Sequence, residues 1–295
     1  MSREPALPRI VYATPRALPK LDLLQGRVVV LDIAFAADGM GTPFDETTGK
    51  WIKALGPRLA AWVDHHDHER HKDFASDARF TLATKAEHGA CPEMVTPAIV
   101  TAAGPYDTIV AHSDLDGIYS VAKWILDGSE PYAGSDDDAR AVDTRMSEPG
   151  PIGMLIDKAL RAHWKDIPLR QRVVKFLIGK LRDREHRAVI EKAAADFDAM
   201  ATEAMRLAGG FERRGRAVVV DASDARGPYD KTLLLLEGQK QAAVSVVRDG
   251  GNLTAAAAFD SGIDFVKLLT LGGGMPTRIS IPDARLEELL TKLNA

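Results

Sequence analysis

Leu59-Ala60-Ala61-Trp62-Val63-Asp64-His65-His66-Asp67-His68 passes from an apolar run directly into carboxylate and imidazole. Residues 61–63 read as a short buried strand, and Asp64 onward as the loop into which that strand runs out. Open α/β sheets bind ligands at the carboxyl ends of their strands, and carboxylates mixed with imidazoles suit a divalent cation. Two further segments repeat the design. They are Val28-Val29-Val30-Leu31-Asp32 and Thr108-Ile109-Val110-Ala111-His112-Ser113-Asp114-Leu115-Asp116-Gly117. Three apolar strands ending in acidic residues can converge on one cluster.

Outward from these strand ends the pattern alternates. A short strand at 9–13 is closed off by Pro8 and Pro15, and 27–32 is a β-rich run. Residues 44–59 hold a helix, with Trp51, Ile52, Leu55 and Leu59 at helical spacing. Residues 92–103 predict a helix with Pro92 in its first turn, 106–111 a strand and 118–126 a helix. Strands alternating with helices imply parallel crossovers, so the expected fold class is α/β with a doubly wound parallel sheet. Residues 151–207 read as almost wholly helical, and Gly209-Gly210 ends that stretch. Short strands are expected at 216–221, 231–236, 242–248 and 253–259, with Asp249-Gly250-Gly251-Asn252 as a hairpin turn and a last helix at 283–293. The expected division is a metal-binding domain at 1–150, a helical connector at 151–211 and a smaller α+β domain at 212–295 facing the site across a cleft.

Bulk composition narrows the function. The chain has 295 residues, 45% hydrophobic and 27% charged, with a net charge of −4. That balance gives no sign of a basic face for tracking long nucleic acid, although a net charge averages over the surface and leaves a local basic groove open. No apolar run approaches the ~20 residues of a bilayer span. Met1-Ser2-Arg3-Glu4-Pro5 lacks a signal-peptide core, and the single cysteine, Cys91, rules out an internal disulfide, so a cytoplasmic location is expected.

Asp114 and Asp116 stand two apart where a strand gives way to a loop, so both can turn toward one point, and Gly117 allows a tight entry to the next helix. One carboxylate can face each of two cations, Asp32 can bridge them, and His65 adds a neutral imidazole. This donor set favours Mn²⁺, Mg²⁺ or Fe²⁺ over a structural zinc, which takes thiolates. Two such ions about 3.5–4 Å apart clamp the oxygens of a phosphoryl displacement and acidify a bound water.

Together these segments resemble the DHH phosphoesterase superfamily over roughly residues 27–285. Asp64-His65-His66 is similar to the triplet that names it. His112-Ser113-Asp114-Leu115-Asp116-Gly117 is similar to its His-x-Asp-x-Asp-Gly motif, and Asp32 to its lone strand-end aspartate. Val142-Asp143-Thr144-Arg145 resembles its Asp-Thr-Gly motif, and Gly272-Gly273-Gly274 the glycine turn of its substrate (DHHA1-like) domain. Three features depart from the family. The His-x-Asp-x-Asp-Gly segment follows the other two motifs instead of preceding them, as in a circular permutation. Met275 replaces the histidine after the glycine turn. Ala255-Ala256-Ala257-Ala258-Phe259 replaces a Ser-Leu-Arg-Ser strand.

The resemblance implies two Mn²⁺ ions, with Mg²⁺ as the alternative. Asp32 would bridge them, Asp114 and His112 bind one, and His65, Asp116 and Asp143 the other. His66 would contact a substrate phosphate or the leaving oxygen, Asp64 would orient an imidazole, and a metal-activated water would attack phosphorus in line. Gly272, Gly273, Gly274 and Arg278 are the expected substrate contacts, with Arg278 replacing a lost phosphate ligand. The implied activity is metal-dependent hydrolysis of phosphodiester bonds in short oligonucleotides or cyclic dinucleotides. Hydrolysis of small phosphoanhydrides or phosphorylated metabolites is the enzymatic rival, and nucleotide or metal binding without turnover the non-enzymatic one. Small phosphorylated molecules are the expected partners, without long nucleic acid or membrane and with a homodimer open to the chain.

Other candidates have plainer readings. His68 and His71 are expected on a solvated helix start, and His88, His163 and His186 as surface or satisfied core histidines. Cys91 is expected to be a small buried residue at a helix entry. Arg182, Arg184, Arg187, Arg213, Arg214 and Arg216 are expected on a solvated face unless they line the cleft, and the acidic run 136–138 in a solvated loop.

Overall fold

The computed structural model describes residues 7–37 and 42–295. Its first part runs β1 (Arg9–Tyr12), β2 (Val28–Leu31), α1 (Thr48–Leu55), β3 (Leu59–Asp64), β4 (Asp67–His68), β5 (Phe80–Leu82), α2 (Pro97–Ala103) and β6 (Thr108–Ala111). Helices follow: α3 (Leu115–Ile125), α4 (Ser135–Thr144), α5 (Pro151–Ala162), α6 (Ile167–Ile178), α7 (Arg184–Ala195) and α8 (Phe197–Ala208). The last part is β7 (Glu212–Arg214), β8 (Ala217–Asp221), α9 (Lys231–Gln239), β9 (Val244–Asp249), β10 (Asn252–Ala257), α10 (Phe265–Leu269), β11 (Gly273–Gly274), β12 (Arg278–Pro282) and α11 (Leu286–Asn294).

The first sheet has the order β1-β6-β2-β3-β5 with every pair parallel, which is the α/β arrangement the alternating pattern predicts. Successive side chains of a strand point to opposite faces. Val29, Leu31 and Val63 therefore join the core that includes α3, α5 and α6 residues, while Val28, Val30 and Trp62 join the core under α1. Burial on both faces explains why these strands read as unbroken apolar runs. Although β6 comes last of these strands in the chain, it lies beside β2. The strand ends carrying Asp32, Asp64 and His112 are thus neighbours, at the point where the strand order reverses.

The second sheet, β12-β10-β9-β8-β7, is antiparallel except for β8 and β9. Its β9–β10 hairpin turns at Gly250 and Gly251, whose φ values of 60° and 79° suit glycine. Ala204 and Leu207 of α8 share a core with Val220 of β8 and with Leu234 and Leu235 of α9.

Four local expectations are corrected. Residues 231–236 are helical, not a strand. The leucine run has no period of its own, and the carboxylate of Asp230 accepts from the Leu233 N–H at 2.5 Å to start α9. The helix expected at 92–103 is split into a 3₁₀ turn, Cys91–Met94, and α2. Thr96 precedes Pro97, is held extended at φ −104° and ψ 159°, and caps the second piece. The helix expected at 44–59 contracts to α1, because Gly56-Pro57 breaks it and Leu59 opens β3. The acidic run 136–138 is the first turn of α4 and not a solvated loop: Asp136 accepts from the buried Lys123 ammonium.

Asp138, only 7% exposed, accepts from Gly150 N at 2.5 Å, Gly153 N at 3.1 Å and the Tyr132 hydroxyl at 2.6 Å, tying α4 to the start of α5. Asp138→Ala strands those donors and is expected to cost about 2 kcal/mol in urea denaturation. A loss below about 0.5 kcal/mol would mean that the tie does not matter.

Candidate metal centre and substrate cleft

Asp32 follows β2 with a left-handed backbone, φ 57°, anchored by its N–H to the Val63 carbonyl at 2.9 Å. Its carboxylate is 2% exposed, and neither oxygen has a hydrogen-bond partner among the described residues. Burial first, then the charges of Asp116 and Asp114, push this carboxyl well above the usual range. A buried carboxylate without a close donor either takes up a proton or faces a cation.

The other groups are built around it. His65 is fully buried, and its Nδ1 meets the His88 carbonyl at 2.9 Å, which aims Nε2 inward. That Nε2 lies 3.4 Å from Asp32, 3.1 Å from Asp116 and 3.8 Å from Asp143. Asp64, also buried, meets His66 Nδ1 at 2.8 Å, leaving Nε2 as the second ring nitrogen of a side chain on the cleft wall. His112 Nδ1 lies 2.8 Å from Asp114 and 3.9 Å from Asp32. Asp114 caps α3 by accepting from Gly117 N at 3.1 Å. Asp116, two residues further and within the first turn, accepts from Cys91 N at 2.9 Å. Cys91 is buried as expected, and its backbone positions a site carboxylate.

Three sets of donors each gather within 4.8 Å: Asp32, His65 and His66; Asp32, His112 and Asp114; and His65, Asp116 and Asp143. Oxygen and imidazole donors without thiolate fit a hard or borderline divalent ion. The field agrees. Burial opposes a positive charge on either imidazole, yet the carboxylates raise the pKa of His65 to about 10 and of His112 to about 9.

Above this floor lies a cleft of about 730 Å³ walled by both sheets' elements. Arg145, Arg161, Arg170 and Arg278 line it, with Trp164, Phe259 and Met275. Arg145 ends α4 at φ 60°, the left-handed slot that a glycine usually fills. Arg161 is committed to Asp157 at 2.7 Å and Asp230 at 2.8 Å, and Arg170 Nε supports the Ser113 carbonyl at 2.9 Å. Arg278 has only the Thr232 hydroxyl at 3.3 Å and no carboxylate partner among the described residues. Burial, then Arg145, lowers its pKa.

The predicted residues Asp32, His65, His66, His112, Asp114, Asp116, Asp143 and Arg278 therefore gather at one place. The three glycines do not line the cleft. Gly273 and Gly274 pair with His68 and Asp67 as β11 and β4, and a Cβ on Gly273 would fall 2.4 Å from the His68 ring. Close backbone approach, not substrate contact, is what the turn requires. His68 and His71 do stand at a helix start, the 3₁₀ helix Glu69–Phe74 that His68 caps, but it is packed and not solvated: His68 Nε2 meets the Ala36 carbonyl at 3.0 Å, and both rings pack edgewise on Phe35. Arg182, Arg184, Arg187, Arg213, Arg214 and Arg216, expected on a solvated face unless they line the cleft, do not line it. Lys85, Arg145, Arg161 and Arg170 were not foreseen. Only Arg145 carried a signal, as the last residue of the Asp143 motif.

No helix among the described residues is long and apolar enough to cross a membrane. No protein-family model matches the chain, and no curated protein does. Among solved structures, the chain is similar to one titled "pGpG-specific phosphodiesterase - PggH from Vibrio cholrae", at 12% identity and a TM-score of 0.40, over 92% of this chain and 99% of that one.

Proposed function

We propose that this chain is a metal-dependent phosphoesterase that hydrolyses phosphodiester bonds in cyclic dinucleotides or short oligonucleotides. One observation carries the proposal: a buried carboxylate, Asp32, with no donor among the described residues nearer than the His65 imidazole at 3.4 Å, lies at the floor of a cleft whose wall bears Arg278, an arginine without a carboxylate partner among the described residues. The floor wants a cation, and the wall wants an anion. A phosphate bridging them satisfies both.

Asp32, His112 and Asp114 would hold the cation, Mn²⁺ with Mg²⁺ as the alternative. When bound, it neutralises charge on the phosphate and makes water more acidic. The chain's own groups do the rest. Asp64 fixes His66 with Nδ1 toward the carboxylate, and burial keeps this imidazole's pKa below its ordinary value despite Asp64. His66 Nε2 is thereby free to take a proton from attacking water and to return one to the leaving oxygen. Arg278, with Arg145 near it, would orient the phosphate and share its negative charge. Trp164, 62% exposed on the cleft wall, offers a base a face to stack on. That surface favours a nucleotide over bare pyrophosphate. The division at 1–150, 151–211 and 212–295 belongs to the same proposal.

The test gives purified chain with Mn²⁺ cyclic and linear dinucleotides, short RNA, an aryl phosphodiester and pyrophosphate. Mononucleotide release is expected. Orthophosphate from pyrophosphate alone would favour the phosphoanhydride reading, and silence on every substrate would overturn turnover altogether. Arg278→Ala is expected to raise KM for the best substrate about 30-fold, from about 2 kcal/mol of charge-assisted hydrogen bonding, with a smaller change in kcat. An unchanged KM would remove Arg278 from substrate binding.

A further inference from the structure

The third donor set, His65, Asp116 and Asp143, already faces a cation that belongs to the chain. Lys85 follows β5 in the turn 84–88 and is 3% exposed. Its ammonium donates to Asp143 and lies 3.3 Å from His65 Nε2. It thus stands among the atoms that a second divalent ion would need. The turn is secured at several points. Lys85 N donates to Asp67 at 3.2 Å, Thr84 N and its hydroxyl both donate to Glu87 at 2.8 Å, and the His88 carbonyl meets His65 Nδ1 at 2.9 Å. Lys85 is therefore held inward by the same loop that orients the His65 ligand. A divalent ion and an ammonium cannot share this volume, because like charges about 3 Å apart in a buried site repel strongly.

We propose that the Lys85 ammonium is the resident cation of the second donor set, so that the chain takes one divalent ion, on Asp32, His112 and Asp114. This rests on the metal-dependent reading above and replaces the pair of ions that the resemblance implies. Lys85 would supply fixed positive charge beside the bound phosphate, while Asp116 and Asp143 hold that charge in place and do not ligate metal. A lysine is a compact point charge able to serve this way.

Metal stoichiometry decides it without reference to turnover. The full chain is dialysed against Mn²⁺, bound metal is counted by elemental analysis, and the electron paramagnetic resonance spectrum is recorded. One ion per chain with an uncoupled six-line spectrum is expected for the native protein. Lys85→Met should take up two ions with a spin-coupled spectrum, and Lys85→Arg, which keeps the charge, should stay at one. Native protein binding two coupled ions would overturn the proposal, as would Lys85→Met still holding one. Should Lys85→Met fail to fold without metal, the native count and Lys85→Arg still decide. If no variant binds any ion, the metal-dependent reading itself falls, whereas a count of two leaves that reading standing and removes only the role of Lys85.

Discussion

Asp32→Asn is expected to lower kcat/KM by about 10³-fold, near 4 kcal/mol of lost electrostatic stabilisation, and to raise the melting temperature of the metal-free chain. The two effects have one cause. Asp32 is a buried carboxylate without a donor among the described residues, lying near Asp114 and Asp116. With a cation bound that charge is satisfied, and without one it is a liability. Asparagine is nearly isosteric and tolerates the left-handed φ of 57° better than most residues, so the backbone should not change. Melts in chelator and kinetics with Mn²⁺ check both halves. Activity within tenfold of native, or a lower melting temperature for the metal-free variant, would contradict the account.

Gly117→Ala is expected to destabilise the chain by about 3 kcal/mol and to weaken Mn²⁺ binding with it. Alanine inside a helix normally stabilises relative to glycine by up to about 1 kcal/mol, so the predicted sign is unusual. The reason is local. A Cβ on Gly117 would sit 2.4 Å from the His112 carbonyl oxygen and 2.8 Å from its carbon. Those are backbone atoms, so no side chain can rotate aside. The first turn of α3 would have to back away from the end of β6, carrying Asp114 and Asp116 out of position. Urea denaturation with an unchanged m-value should record the loss. Equal or greater stability would show that this junction has room.

The parallel sheet was legible because burial on both faces writes each strand as an apolar run, as in Val28 to Leu31 and Thr108 to Ala111. The site was legible because its ligands sit at strand ends, where a polar residue interrupts such a run. Chain order misled nothing, since β6 takes its place beside β2 regardless of when it is made. What stayed hidden lacks a local pattern. Lys85 sits in a polar turn that reads as solvent-facing, and only the packing of that turn against the Asp64–His66 loop sends its ammonium inward. Arg161 and Arg170 lie on helices where arginine is an ordinary surface residue. The leucines of α9 suit a strand as well as a helix, and Asp230 settles the choice through one capping hydrogen bond.

Pairing of Asp67 and His68 with Gly274 and Gly273 has a mechanical consequence. It stitches the C-terminal lobe to the chain immediately beyond His66. Any shift of that lobe on gripping a ligand would therefore reach the imidazoles through a residue or two of main chain, a shorter path than the Arg161–Asp230 pair provides.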